Sequence, residues 1–138
     1  MNEILVDTGP LVAYLDSSDR DHGWAKDQFT RITRPLQTCE AVIAESLFLL
    51  QRGGIDPDSL LNLIRRGLVV PEFSLSAEIQ SIYQLMRSYR NIPKSLADAC
   101  LVRMAEIHER SVVFTLDSDF VIARPRRPVA LAVPLFYE

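Results

Sequence analysis

The sequence contains little cysteine, and this limits the kinds of protein that it can encode. Its 138 residues include only two cysteines, Cys39 and Cys100, and no C-x-x-C spacing. A metal centre built from paired thiolates and a scaffold held together by many disulfides are therefore excluded. We expect two free thiols in a reducing cytosol, and a disulfide between them stays open without positive support.

Long apolar runs are also missing. No stretch approaches the ~20 residues that are needed to cross a bilayer, and residues 1–7 have neither a basic segment nor a long apolar one of the kind found in signal peptides. These absences predict a soluble, cytoplasmic protein with no membrane partner.

The chain has no excess of positive charge, which argues against a strongly basic nucleic-acid-binding protein. Its formal net charge is −3, and Lys26 and Lys94 are the only lysines among 15 basic residues. Without four candidate site acids, each carrying one negative charge, the net charge of −3 would become +1. Because the remaining basic residues are arginines, which suit bidentate contacts with phosphate, the composition is compatible with an acidic pocket rimmed by arginine.

Short apolar runs alternate with segments of helical periodicity along the whole chain. Runs at 4–6, 36–39, 68–70, 112–114 and 129–133 predict strands. Predicted helices begin near Pro10, Asp19 or Asp21, Glu40, Asp56, Ser74 or Ser76, and Ser95. This alternation predicts a three-layer α/β fold, in which helices flank a central parallel sheet of four or five strands, in one domain that spans residues 1–138.

Two aspartates follow predicted buried strands, where sites of open α/β sheets lie. Asp7 comes directly after the run 4–6, and Asp117 follows the segment 112–116. The alternative for Asp7 is an Asx turn or a helix cap, and Asp117 has the same alternative in the segment 117–120. Because Thr8 could cap the next helix instead, Asp7 has no necessary local role.

Two further acids lie in helical segments with apolar neighbours. Positions 41, 42, 48 and 49, three or four residues from Glu45, are all apolar, so we expect its carboxylate on the buried face of the helix. A helix in a different phase and a buried pair with an arginine are the alternatives. Asp98 fits a capping box that begins at Ser95, yet Leu101 and Val102 also place it toward an apolar face. Capping and metal binding stay equally open for Asp98, and one residue can serve both roles.

The predicted sheet would bring these four acids to one edge. Clustered carboxylates repel one another, so such a group must hold either protons or a cation. At cytosolic pH a divalent metal is the usual cation, and such centres commonly promote hydrolysis at phosphate. The sequence therefore predicts metal-assisted hydrolysis of a phosphodiester.

The same residues resemble the PIN-domain nucleases, in particular the short VapC-type toxins of toxin–antitoxin systems. The matching stretches are Val6-Asp7-Thr8, Ala44-Glu45, Leu96-Ala97-Asp98-Ala99 and Thr115-Leu116-Asp117-Ser118-Asp119-Phe120, in order and over nearly the whole chain. By this resemblance the protein would be a Mg²⁺-dependent ribonuclease, with Mn²⁺ as a substitute. A PIN-like fold, homodimerisation and inhibition by an antitoxin protein are also implied.

The resemblance assigns roles to individual residues. Asp7, Glu45, Asp98 and Asp117 would form the catalytic acid set, and Asp7, Asp98 and Asp117 would bind the metal. Thr8, Thr115 and Asp119 would be auxiliary residues of the pocket, and either Asp117 or Asp119 could supply the last ligand.

Contacts with RNA would have to come from basic residues near these acids. The candidates are Arg87, Arg90 and Lys94 before Asp98, and Arg124, Arg126 and Arg127 after Asp117. Solvated helix or loop charges are the alternative for each of them.

Two other functions stay open at this stage. One is a different Mg²⁺-dependent phosphoryl-transfer hydrolase such as a small phosphatase, although Gly9 stands where the D-x-D motif of such enzymes would have its second acid. The other is a non-catalytic interaction module in which the acids are structural.

Overall fold

The computed structural model describes residues 3–88 and 95–116 in full and the backbone of residues 130–132. The strands are β1 (Glu3–Val6), β2 (Leu36–Gln37), β3 (Val69–Val70), β4 (Ser111–Phe114) and β5 (Ala130–Ala132). The helices are α1 (Thr8–Leu15), α2 (His22–Arg31), α3 (Glu40–Arg52), α4 (Asp58–Arg65), α5 (Ile79–Ser88) and α6 (Leu96–Ile107).

β1 lies at the centre of a five-stranded sheet in which every pairing is parallel. The strand order is β3-β2-β1-β4-β5. β1 and β4 pair along their whole length, from Glu3 opposite Ser111 to Val6 opposite Phe114. Parallel strands end at the same edge of a sheet, so the residues that follow β1, β2 and β4 lie near one another. The predicted α/β fold with a central parallel sheet and flanking helices is confirmed.

The two central strands are buried because both faces of the sheet are covered. Leu5, Val6 and Val113 have no exposed surface, and Phe114 is also buried. α6 packs against α3, α5, β1 and β4. Seven of its side chains are buried: Ala97, Ala99, Cys100, Leu101, Val102, Met104 and Ala105. The continuous apolar sequences of β1 and β4 are typical of parallel strands that are buried on both faces.

Aromatic side chains of α1 and α2 close the core beside β4. Trp24 meets Phe114 edge to face with 5.3 Å between ring centroids, and Phe29 lies 5.4 Å from the same ring. Tyr14 stacks on Phe29 at 4.1 Å. These contacts fix the last residue of β4, which immediately precedes Thr115.

Several element bounds differ from the sequence prediction for local reasons. β2 ends at Gln37 because Cys39 is already the N-cap residue of α3. α4 begins at Asp58, since the Asp56 side chain accepts the Asp58 N–H at 2.9 Å in an Asx turn. α5 begins at Ile79, after a turn that contains both serines proposed as its start.

Cys39 and Cys100 are both buried free thiols, as the sequence analysis expected. The neighbouring Cys100 thiol, together with burial, raises the pKa of Cys39. No helix within the described parts of the chain is both long enough and apolar enough to cross a membrane.

Candidate active site

Asp7 occupies the junction between the central strand and the helix that follows it. It is the N-cap residue of α1, and its Oδ1 accepts the backbone N–H of Thr8 at 2.7 Å. Its own N–H donates to the carbonyl oxygen of Phe114 at 3.0 Å. The capping role that the sequence left open is therefore real, and it occupies only one of the two carboxylate oxygens.

The second oxygen of Asp7 faces β4. Thr115, which directly follows that strand and is completely buried, donates its hydroxyl to Asp7 Oδ2 at 2.9 Å. The side chain of Asp7 is 6% exposed. A carboxylate this deeply buried, with a fixed donor on each oxygen, has a single well-defined orientation at the edge of the sheet.

Glu45 reaches the same place from α3, but not in the way that the sequence analysis expected. Its Oε1 accepts the hydroxyl of Thr8 at 2.5 Å. The expectation of a buried side chain is wrong, because Glu45 is exposed and so are its apolar neighbours Phe48 and Leu49. The buried face of α3 carries Val42, Ile43, Ser46 and Leu50 instead. The structure thus has the helix in the other phase that the sequence analysis had left as an alternative.

Asp98 has the capping role that the sequence analysis left open. It completes a capping box at the start of α6, in which its N–H donates to Ser95 Oγ at 3.1 Å and its carboxylate accepts from the Ser95 N–H. The side chain is half-buried, and its negative charge acts on Asp7. Capping fixes the carboxylate in the first turn of α6, from where its charge acts on Asp7.

The environment of Asp7 disfavours its negative charge. Burial raises the pKa of Asp7 to about 6, the hydrogen bonds from the Thr8 N–H and the Thr115 hydroxyl oppose the shift, and the charges of Asp98 and Glu45 add to it. Desolvation and like charges of this kind are typical of sites that hold a cation. Asp7, which follows β1, therefore interacts electrostatically with one acid of α3 and one acid of α6 at one edge of the sheet.

The donor chemistry of this group fits a hard divalent cation, because the acids offer oxygen ligands alone and repel one another. Within residues 3–88 and 95–116, no group of three acidic, histidine or cysteine side chains lies close enough to surround a metal ion. Asp117 and Asp119, the remaining acids of the predicted set, lie outside the described residues. Mg²⁺ keeps several waters and needs only one or two direct carboxylate ligands, so the described acids still fit this ion.

Of the basic residues proposed for RNA contacts, only Arg87 lies within the described residues. It is exposed on α5, where its guanidinium group lies 5.5 Å from the centre of the Tyr83 ring and donates to the Tyr83 hydroxyl at 3.1 Å. Arg90, Lys94, Arg124, Arg126 and Arg127 lie outside the described residues.

A further polar residue at this edge was not singled out by the sequence analysis. Thr38 follows β2, is completely buried, and donates its hydroxyl to the carbonyl oxygen of Val6 at 2.8 Å. The sequence offered little signal for this residue, because Thr38 lies within the run 36–39 that was predicted as a strand and not after it. A lone threonine hydroxyl, unlike a carboxylate, also does not by itself indicate a metal site.

The fold and these residues define the class of the protein. The chain belongs to the PIN domain family, whose pattern matches residues 4–124. The matched range includes Asp7, Glu45, Asp98 and Asp117.

Individual relatives agree with this assignment. The chain is similar to the curated Ribonuclease VapC26 of Mycobacterium tuberculosis, with 26% identity over 125 residues that cover 88% of this chain and 93% of the relative. The sequence-based resemblance to PIN-domain proteins of the VapC type is thereby confirmed.

Two solved structures share the fold. One is Mycobacterium tuberculosis VapC20, described as a sarcin-ricin loop cleaving toxin, with a TM-score of 0.76 and 23% identity over 88% of this chain and 95% of that one. The other is FitAcB from Neisseria gonorrhoeae, with a TM-score of 0.59 and 18% identity over 96% of this chain and 98% of that one.

Proposed function

We propose that this protein is a divalent-metal-dependent ribonuclease of the VapC kind, in which Asp7 is the central metal-binding carboxylate. The observation that carries the proposal is the environment of Asp7. It is a carboxylate with a defined orientation whose charge is made unfavourable mainly by burial and further by the charges of Asp98 and Glu45.

The acids would have different roles at the metal, depending on their positions. Asp7 and Asp98 would hold Mg²⁺ or Mn²⁺ together with Asp117, and Glu45 would complete the acidic set from α3. When bound, the metal ion would supply Lewis-acid activation of water and neutralisation of the charge that develops on the phosphate. Asp119 remains the alternative to Asp117.

The hydroxyl residues keep these carboxylates in place. Thr115 holds Oδ2 of Asp7 from β4, and the Thr8 N–H holds Oδ1. The Thr8 hydroxyl binds Glu45, so Thr8 connects Asp7, which follows β1, with the acid of α3. Preorganisation of this kind removes the reorganisation that flexible acidic side chains would otherwise require during the reaction.

RNA as the substrate is supported by the relatives. VapC26 is named a ribonuclease, and VapC20 is described as cleaving the sarcin-ricin loop. In this chain Arg87 is an exposed cation on α5, in the part of the sequence that leads to Asp98. Arg90, Lys94, Arg124, Arg126 and Arg127 would extend a basic rim for phosphate contacts.

The protein would act in the cytoplasm with protein partners. An antitoxin as an inhibitory partner is supported by the likeness to VapC-type relatives. Homodimerisation is supported by an apolar groove of about 420 Å³ on α5 and α6. Ile79 and Tyr83, which line this groove together with Ile82 and Met86, are each 54% exposed, and neighbouring exposed apolar side chains are typical of protein contact surfaces.

Cleavage of labelled RNA oligonucleotides tests the proposal. Wild-type protein should cleave RNA in Mg²⁺ or Mn²⁺, should lose activity in EDTA, and should leave DNA of the same sequence intact. Asp7→Asn should lower the rate by a factor on the order of 10² or more, because it removes the central charge that binds the metal. Asp58→Asn, at an exposed acid on α4, is the matched control and should keep wild-type activity.

Two outcomes would contradict the proposal. Cleavage that persists unchanged in EDTA would exclude a metal requirement. Equal cleavage by wild type and Asp7→Asn would separate the acidic site from the reaction and would favour a structural role for the acids.

A further inference from the structure

The peptide group between Val6 and Asp7 is held from both sides. Its N–H, which belongs to Asp7, donates to the Phe114 carbonyl of β4 at 3.0 Å. Its carbonyl, which belongs to Val6, accepts the hydroxyl of Thr38 at 2.8 Å, and this bond is buried. Because the side chain of Asp7 leaves the backbone directly after this peptide group, the orientation of the group sets the direction of the carboxylate.

The two sides are held by different means. β1 and β4 pair up to Val6 opposite Phe114, so the backbone ladder supports the β4 side as far as the site. β1 and β2 have one register pair, Leu5 opposite Gln37, which is one residue short of Val6. On the β2 side, the last carbonyl of the central strand is therefore bound by a side chain.

Thr38 is itself rigidly placed for this contact. Its N–H donates to the Val70 carbonyl of β3 at 3.1 Å, and its side chain is completely buried. A β-branched residue has few accessible rotamers, so the hydroxyl is aimed at Val6 without a large loss of side-chain entropy. Among the described hydrogen bonds, the partner of this hydroxyl is the Val6 carbonyl.

We infer that Thr38 is a positioning residue for Asp7: its hydroxyl fixes the Val6–Asp7 peptide group and thereby the direction in which the Asp7 carboxylate faces the metal. This inference rests on the proposed function, since it assigns Asp7 to the metal. Without the hydroxyl, the Val6 carbonyl would be a buried acceptor without its donor, and rotation of the peptide group would relieve this. Partners that orient a metal ligand typically change metal affinity or activity 10- to 100-fold when they are removed, on the order of what we expect here.

Three variants test the role. Thr38→Val keeps the shape of the side chain and removes the hydroxyl, whereas Thr38→Ser keeps the hydroxyl and removes a methyl group. Thr38→Ala removes the hydroxyl without placing a second methyl group near the Val6 carbonyl, so it gives an independent measurement if Thr38→Val folds poorly. Thr30→Val, at an exposed threonine of α2, is the matched control for the substitution itself.

The readouts are Mn²⁺ affinity, measured by the paramagnetic resonance signal of free Mn²⁺, and the separate kcat and KM for RNA cleavage. Thr38→Val and Thr38→Ala should bind Mn²⁺ about 10-fold or more weakly and should lose kcat at saturating RNA with little change in KM. Thr38→Ser and Thr30→Val should stay within about 3-fold of wild type. Rescue by serine marks the hydroxyl as the cause, because a purely packing role would make serine and alanine equally damaging.

The outcomes separate this inference from the proposed function. If wild type binds Mn²⁺ and cleaves RNA while Thr38→Val behaves like wild type, the positioning role is wrong and the proposed function stands. The same holds if Thr38→Ser is as impaired as Thr38→Ala. If wild type neither binds Mn²⁺ nor cleaves RNA, the proposed function fails and the inference fails with it.

Discussion

Replacing Asp7 with asparagine should stabilise the metal-free protein at neutral and alkaline pH. The folded protein raises the pKa of Asp7 from 3.8 to about 6. A raised pKa means that folding favours the protonated form. The stabilising effect of the neutral acid is fully present below the unfolded pKa of 3.8 and is lost as the pH rises through about 6.

The size of the effect follows from the same shift. A difference of about two units, at roughly 1.4 kcal/mol per unit, makes the charged form about 3 kcal/mol less favourable in the folded protein than the neutral form. Asparagine is neutral at every pH, and its Oδ1 can still accept the Thr8 N–H. The bond with Thr115 must be rearranged, which offsets about 1 kcal/mol. We therefore expect Asp7→Asn to be more stable than wild type by about 1–2 kcal/mol at pH 8 and slightly less stable at pH 4.

Urea unfolding of both proteins in EDTA, at several values between pH 4 and pH 8, measures this difference. Comparing the variant with wild type at each pH cancels the titration of all other groups that the two proteins share. Asp58→Asn, at an exposed position, should stay within about 0.5 kcal/mol of wild type throughout. A variant that is destabilised equally at pH 4 and pH 8 would refute the idea that the buried charge is unfavourable.

Addition of a metal should reverse the order at pH 8. A ligand present at about 100 times its Kd stabilises the native state by about 2.7 kcal/mol, comparable to the cost of the Asp7 charge. Millimolar Mg²⁺ or Mn²⁺ should therefore raise the unfolding midpoint of wild type and leave that of Asp7→Asn nearly unchanged. An equal shift in both proteins would place the stabilising ion at another site.

Two further predictions follow from the described residues. Cys39 and Cys100 are 1% and 2% exposed, so neither should react with a thiol reagent in the native protein. Both should react after unfolding in urea without a reducing agent. Fewer than two reactive thiols in the unfolded protein would indicate a disulfide. The exposed apolar groove that contains Ile79 and Tyr83 should make the protein a dimer, so light scattering after gel filtration should give about twice the chain mass of 15.6 kDa, and the mass of a single chain would contradict it.

The sequence predicted well which strand ends meet. The runs at 4–6 and 112–114 are short, continuous and apolar, so their ends could be identified without knowing how the strands pair. The parallel rule then predicted that residues after both runs would meet, and Asp7 and Thr115 do so at 2.9 Å. The position of Asp7 could be predicted because it depends on where β1 ends and on the parallel order of the sheet. The short apolar runs indicate the first, and the alternation of strands with helices indicates the second.

The sequence was less informative about α3. Apolar residues lie on more than one side of this helix, since Phe48 and Leu49 are exposed while Val42 and Leu50 are buried. The apolar residues three and four positions from Glu45 therefore could not show which face of α3 is buried. As a result, Glu45 was assigned to the wrong face of the helix. Its contact with Thr8 depends on how α3 crosses α1, which no local pattern encodes.

Thr38 could not have been found for a similar reason. Its hydroxyl binds the Val6 carbonyl because the pairing of β1 with β2 ends one residue before the site. The register of a two-residue strand such as β2 cannot be predicted from its sequence. Asp98 is different, because the structure shows its capping role, and metal binding by the same residue stays a prediction. Its capping box is encoded locally, whereas its electrostatic effect on Asp7 requires the whole fold.

The hydrogen bonds of Asp7 explain why such a site would respond to a cation. Within the described residues its carboxylate receives a backbone N–H and a hydroxyl, but it forms no salt bridge. Neutral donors orient a carboxylate and lower its pKa only in part, so burial and the neighbouring acids still dominate. An arginine in this place would have stabilised the charge permanently and would have removed the driving force for binding a metal. Orientation by neutral donors keeps the carboxylate both fixed and electrostatically unsatisfied, and this combination favours a divalent ion over a structural ion pair.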